Sequence, residues 1–388
     1  MSVESSATAV EVPAHGVVAL LTAARFTLMM TTLLPPVRRW FYDAGMLWTY
    51  LVALAFTVSF FVVPLVRAYA LWRGVLDEPA ARKVHRVATP LLGGAAVYLA
   101  FAVTVLTNFN FSLQLKGVAL GASIVVALGI LDDVTELPAW LKLGGQITAA
   151  SVALVFGVSL EVVPYWLPAA VWLNAALTIL WFLTVTNAIQ FLDGMDGLAT
   201  GLGVITGLFF SITALHSHQH YLMFLSAALV GACLGFLPYN FRPGGARIFL
   251  GDSGASFIGF TLAGLAVMGE WAENDPLVAL LTPTLILGVP LFDIAFVSIS
   301  RVITGKVHSL HAWLAYTGKD HIHHRFEALG LSKTQSVLLI YFVSATLGLS
   351  ALLLEYATTQ EALLLLVQAA CVLAIIAVLE GVGRGRLG

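Results

Sequence analysis

Five carboxylates, Asp132, Asp133, Asp193, Asp196 and Asp252, stand in short polar stretches between long apolar runs. The densest stretch runs from Asn187 through Gln190, Asp193 and Asp196 to Gly201, with a glycine after each acid. Ionisable groups at the mouths of membrane helices are expensive and functional by default. Glycines beside acids let a backbone approach a phosphate or a metal-bound ligand. Hard oxygen ligands suit Mg²⁺, which binds through one or two carboxylates and otherwise keeps waters or substrate phosphates. Around the acids stand Lys83, His85, Arg86, Lys142, Arg301, His321, His323, His324 and Arg325. Acids holding a metal inside a basic rim suit a phosphate-rich substrate, because rim and metal both stabilise charge at a transferring phosphorus. Zinc fits less well, since no cysteine accompanies the histidines.

Each cluster also has a plainer reading. Asp-Gly pairs are ordinary helix ends, and Asp132-Asp133 could be the polar stop after a span. Gly251-Asp252-Ser253-Gly254 alone reads as a turn. Lys83 to Arg86 could anchor a span at the membrane surface, and an isolated Phe249 is more often a packing aromatic than a base-stacking one. These readings fail jointly because of where the clusters fall.

The elements that must position these residues are membrane helices. Hydrophobic residues make up 59% of the 388-residue chain and charged residues 10%, against about 25% charged in soluble domains. A span needs about 20 mostly apolar residues. That rule gives eleven spans, near 46–66, 92–108, 117–131, 143–160, 169–186, 198–215, 221–238, 254–269, 277–300, 336–354 and 361–380, of which the third and eighth are short. The fold class is therefore all-α, a polytopic membrane helix bundle. Residues 1–45 read as an N-terminal extension with an interfacial helix, and residues 46–388 as one integral-membrane domain. Cys233 and Cys371 fall inside apolar runs and imply no disulfide framework.

Alternating the loops puts every basic residue except Arg25, Arg38, Arg39 and Lys116 on one side, with the C-terminal tail. By the positive-inside rule that side is cytoplasmic. The loops that carry the acids, the basic rim and Phe249 are the same loops. The outer side offers only His216, His218 and His220, which read as a solvated turn.

The motifs together resemble a known family. Lys83-Val-His85 with Pro90 and Gly93-Gly94, then Asp132-Asp133, are similar to the polyprenyl-phosphate N-acetylhexosamine-1-phosphate transferases. So are Asn187-Ala with Asp193-Gly-Met-Asp196-Gly-Leu-Ala, Phe249-Leu-Gly-Asp252-Ser-Gly254, and His321-Ile-His323-His324-Arg325. The resemblance covers about Lys83 to Leu331. It implies that a sugar 1-phosphate passes from a UDP-sugar to polyprenyl (undecaprenyl) phosphate, releasing UMP, at the cytoplasmic face of a bacterial plasma membrane. It implies Asp132 or Asp133 acting on the lipid phosphate, and Mg²⁺ (with Mn²⁺ as a substitute) on Asp252 and Asp193. Asn187, Gln190 and Asp196 would hold the nucleotide side, Phe249 would lie near the uracil, and Lys142 with the basic and histidine residues would grip the diphosphate and sugar. Nucleic acid is not an expected partner. A homodimer is carried as an expectation on which the residues themselves are silent.

Asp320 to Arg325 looks like the UDP-N-acetylglucosamine branch, whereas Phe326-Glu327 echoes the branch that uses UDP-N-acetylmuramoyl-pentapeptide. Gln190, Leu91 and Ala255 depart from the usual Asn, Arg and Ser. A rival of another class is an ion-coupled transporter using intramembrane acids. It predicts carboxylates near mid-span, and Asp293 is the acid nearest to that position.

Overall fold

In the computed structural model, the described residues are 44–78, 88–108, 112–271, 276–307, 318, 320–354 and 357–387. The expected N-terminal extension, 1–45, lies almost wholly outside them, as do Lys83, His85 and Arg86.

The described chain is helical apart from one two-residue strand pair. Helices α1 (Ala44–Arg73), α2 (Gly93–Asn108), α3 (Leu113–Thr135), α4 (Ala139–Val155), α5 (Ala170–Leu192) and α6 (Leu198–His216) come first. They are followed by α7 (His220–Asn240), α8 (Gly251–Met268), α9 (Pro276–Ile286), α10 (Gly288–Ile303), α11 (Ile322–Ala328), α12 (Lys333–Leu354) and α13 (Thr359–Leu387). Between α1 and α2, β1 (Leu76–Asp77) pairs antiparallel with β2 (Thr89–Pro90). In lipid a helix satisfies its own backbone groups, which is why apolar runs of this length take that form.

Among the described residues, eight helices are long and apolar enough to cross a membrane, or nine if the pair α9 and α10 forms one span. The shorter apolar helices α2 and α4 occupy the places of the second and fourth expected spans. Two expectations change. The third span is not short: α3 is a 23-residue helix that continues through Asp132 and Asp133. The ninth is not one straight span, because α9 and α10 meet at a bend of 83°. Pro283 inside α9 removes an amide donor from the helix ladder, and Pro290 sits in the first turn of α10, where a missing N–H is tolerated.

The bundle is built around α8, which packs against α2, α3, α5 and α6 and is the most enclosed of the spans. Its first turn carries Asp252. Small residues let its neighbours approach: a Cβ on Gly94 would lie 2.0 Å from the backbone nitrogen of Gly254. Backbone contact of this kind is how membrane helices pack closely where lipid offers no hydrophobic drive. At the other extreme α13 is mostly exposed, with 11% of its span buried.

Candidate active site

Five acids come together at one end of the bundle. Asp132 and Asp133 lie in the last turn of α3, Asp193 caps the C-terminus of α5, Asp196 precedes α6, and Asp252 opens α8. All five line a single cavity of about 1260 Å³, with Lys142, Gln190, Phe249 and His324. The end of α1, β1 and the turn after α7 also line it, adding Arg73, Asp77 and Arg242.

Two adjacent acids on a helix point about 100° apart, and the pair on α3 divides accordingly. Asp132 accepts a 2.7 Å hydrogen bond from the backbone N–H of Leu137 and pairs with the Lys142 ammonium. The same ammonium donates to Asp252 at 2.8 Å, so one cation joins carboxylates from α3 and α8. Asp133 turns the other way. It accepts from the backbone N–H of Asp252 at 2.8 Å and from the Ser253 hydroxyl at 2.8 Å, capping the N-terminus of α8. Gly251, which precedes this cap, has φ +74°, and a Cβ there would meet the Asp133 carboxylate.

The Asn187–Gly201 stretch forms the opposite wall. Asn187 donates to the Gln146 carbonyl oxygen at 2.7 Å, and Gln146 donates to that of Gln190 at 2.9 Å. Asn187 is thus one step behind the cavity, which Gln190 lines. Asp196 accepts from the backbone N–H of Ala246 at 2.9 Å, fixing the loop that enters α8. Asn240 accepts from the N–H of Gly197 at 2.8 Å and donates to Ile248, tying α7 to the same loop. Burial first, then the charges of Asp252, Asp133 and Asp196, raise the Asp193 carboxyl well above the usual range. Phe249 is held through its backbone: its N–H donates to Pro90 at 2.8 Å, and its carbonyl accepts from Gly93 at 3.0 Å. This contact explains the spacing of Pro90, Gly93 and Gly94.

The histidine strip adjoins the cavity, and only His324 of its members lines it. His323 is 1% exposed and lies against Gly194, where a Cβ would be 2.3 Å from its Nε2. Burial first, then the neighbouring His324 and His321, hold His323 well below the usual imidazole range. His321 packs at a tilt against Phe191 and donates from Nδ1 to the buried carboxylate of Asp293 at 2.7 Å. Arg301 forks onto Asp320 at 2.7 and 2.8 Å, and Arg325 lies over the Phe296 ring. Arg301, His321, His323 and Arg325, expected on the substrate, are buried and do not line the cavity.

The donor set tests for Mg²⁺. Among the described residues no three His, Cys, Asp or Glu side chains form a ready-made cage. Mg²⁺ does not ask for one, because it binds through one or two carboxylates and completes its shell with phosphates and water. The five acids of the cavity offer hard oxygens, and the mutual repulsion felt by Asp193 is of the kind that a cation relieves. The residues fit an ion that arrives with a phosphorylated substrate.

Sequence reasoning missed several of these positions. Asp133's capping role, Gln146 between two amides, Asn240 and the cavity-lining Arg242 carry no motif.

Comparison with known proteins follows the same lines. The sequence profile of glycosyl transferase family 4 matches residues 115–270. A Bacillus subtilis protein named as a probable undecaprenyl-phosphate N-acetylglucosaminyl 1-phosphate transferase is 35% identical over 316 residues, 79% of this chain and 86% of that protein. A Mycolicibacterium smegmatis decaprenyl-phosphate N-acetylglucosaminephosphotransferase is 35% identical over 317 residues, 73% of this chain and 76% of that one. A phospho-N-acetylmuramoyl-pentapeptide-transferase of Heliobacterium modesticaldum is 29% identical over 330 residues, covering 78% and 96%.

Proposed function

The chain belongs to glycosyl transferase family 4 and is a multi-pass membrane transferase of the polyprenyl-phosphate sugar-1-phosphate class; from that premise we propose that it transfers N-acetylglucosamine 1-phosphate from UDP-N-acetylglucosamine to undecaprenyl phosphate. The observation that carries this reading is the cavity at helix ends, where Lys142 joins Asp132 to Asp252 beside Asp193. A lipid acceptor keeps its tail in the bilayer while a nucleotide sugar stays in water. Their phosphates can meet only at the interface, and acids at the ends of α3, α5 and α8 suit that position. The relatives named for N-acetylglucosamine are the more similar in sequence, which favours that sugar over the muramoyl-pentapeptide.

In this scheme an oxygen of the lipid phosphate bonds to the sugar-bearing phosphorus, the bond to the α-phosphate breaks, and UMP leaves. Asp132 orients the lipid phosphate and takes its proton. Lys142, already shared between two carboxylates, offers its N–H groups to the phosphate oxygens. Asp252 and Asp193 are the residues that would hold Mg²⁺ (or Mn²⁺), which when bound supplies positive charge for the diphosphate. Gln190 and Asp196 face the nucleotide side, Phe249 lies near the uracil, and His324 reaches the diphosphate. The basic residues segregate to the loops of this end, which supports a cytoplasmic site in a bacterial plasma membrane.

Purified protein given undecaprenyl phosphate, Mg²⁺ and each radiolabelled donor decides the matter. Label passes to lipid from UDP-N-acetylglucosamine; label passing only from UDP-N-acetylmuramoyl-pentapeptide would overturn the assignment. The transporter reading required acids near mid-span, whereas the five cavity acids stand at helix ends and Asp293 is internally paired.

A further inference from the structure

Asp293 is fully buried on α10, and both of its oxygens are used. One accepts from Nδ1 of His321 at 2.7 Å, the other from the backbone N–H of Ile322 at 2.8 Å. Eight residues further along the same helix, and so two turns down the same face, Arg301 forks onto Asp320. The two residues clamp the chain on either side of His321, where it returns toward the cavity.

The imidazole of His321 sits between them. Its Nε2 is 3.5 Å from Nη2 of Arg301, at the long limit of a hydrogen bond. A guanidinium only donates and a carboxylate only accepts. Both neighbours therefore select one tautomer of the neutral ring, with the proton on Nδ1 and the lone pair on Nε2. The ring then packs at a tilt of 36° on Phe191, next to Gln190, and lies parallel to His323 at 6.2 Å. His323 in turn abuts Gly194 and packs at 4.2 Å on His324, which lines the cavity. A continuous chain of contacts runs from Asp293 to the wall that carries Asp193.

We infer that Asp293 is a positioning residue for the transfer: by fixing the tautomer and orientation of His321 it sets the histidine strip against the Asp193–Gly194 wall. The inference rests on the transferase reading given above. It separates two roles of one carboxylate, a tether to Ile322 and an orienter of His321, and a single substitution divides them. In Asp293→Asn the amide oxygen still accepts from Ile322, which can only donate. The amide NH₂ then faces Nδ1 of His321 and forces the proton onto Nε2, toward the donor groups of Arg301. Asp293→Ala removes both roles.

The test uses the full chain in detergent, each variant being made with and without His321→Ala. Asp293→Asn is expected to keep the wild-type unfolding midpoint and to lose roughly 10–100-fold in turnover, the usual cost of removing an orienting partner. That loss is expected to vanish where His321 is already Ala, because Asp293 then has nothing to orient. Wild-type turnover in Asp293→Asn, or an equal loss in the His321→Ala background, overturns the inference. Histidine ¹⁵N spectra, with His321→Ala to assign the resonance, give a readout independent of any donor. They are expected to show Nδ1–H in the wild type and Nε2–H in Asp293→Asn. A wild-type His321 protonated on Nε2 alone overturns the inference whatever the variants do. A wild-type protein that turns over no donor while showing the Nδ1–H tautomer would instead fault the transferase reading and leave the positioning standing.

Discussion

Asp133 accepts a 2.8 Å hydrogen bond from the backbone N–H of Asp252, so one member of the acidic pair on α3 is the cap of the helix that presents the other acid. Asp132, its neighbour in sequence, pairs with Lys142 instead. The two adjacent acids thus take different partners on one side of the cavity.

Replacing Asp133 by Ala uncovers the first amides of α8, and loss of such a cap costs about 0.5–2 kcal/mol. Thermal unfolding in detergent is expected to show a lowered midpoint for Asp133→Ala and partial recovery in Asp133→Asn, whose amide oxygen can still accept. Equal midpoints in the two variants would mean that the cap contributes nothing.

Asp252→Ala is expected to abolish transfer while the bundle stays folded, because the side chain is open to the cavity and its backbone keeps the Asp133 hydrogen bond. Transfer of label to lipid and the unfolding midpoint, measured together, check both halves. Chelation of Mg²⁺ from the wild type is expected to stop transfer and readdition to restore it. Full activity of Asp252→Ala without added metal would remove the basis for placing Mg²⁺ there.

The raised carboxyl of Asp193 gives a pH dependence with a definite sign. Burial and the charges of Asp252, Asp133 and Asp196 make the folded state hold this proton more tightly than the unfolded chain does. The native state then binds more protons above the unfolded pKa of about 3.9, and stability falls as pH rises from there. Asp193→Asn is expected to melt at a higher temperature than the wild type at neutral pH, with the gap closing as pH is lowered toward about 4. Melting curves across that range check it, and a gap that does not change with pH would assign the effect to something other than this charge. The same variant is expected to lose transfer.

Gly94→Ala would place a methyl group 2.0 Å from the backbone nitrogen of Gly254. Forcing these helices apart also strains the Gly93–Phe249 and Gly94–Leu250 hydrogen bonds of 3.0 and 2.7 Å. The expected outcome is a loss of stability in the range of overpacked cores, about 1–3 kcal/mol, with weaker donor binding through Phe249. A variant that melts with the wild type would show that α2 can back away freely.

The positions of the spans were legible because apolar runs of this length have one structural outcome in lipid. The convergence of Asp132, Asp193, Asp196 and Asp252 was legible because alternating loops put them on one side. What periodicity could not show is direction. Asp132 and Asp133 are neighbours in every sequence pattern, yet their side chains leave α3 toward different partners. Arg301 and His321 looked like substrate contacts by residue type, and only the fold reveals that Asp320 and Asp293 already hold them. The break between α9 and α10 had signals in Pro283, Gly288 and Pro290, but an unbroken apolar run outweighed them. Asp293, noted in the sequence as an acid inside a span, proves to be internally paired.

The contact between Gly94 and Gly254 has a consequence for how such a site can vary. A Cβ on Gly94 would strike the backbone of Gly254, and one on Gly254 would come within 2.6 Å of the Gly94 Cα. What each glycine presents to the other is backbone, so no substitution at one position makes room for a substitution at the other. Two positions in such intimate contact cannot co-vary. A method that finds neighbours by correlated change would be blind to this joint, which brings Phe249 and Asp252 into one cavity.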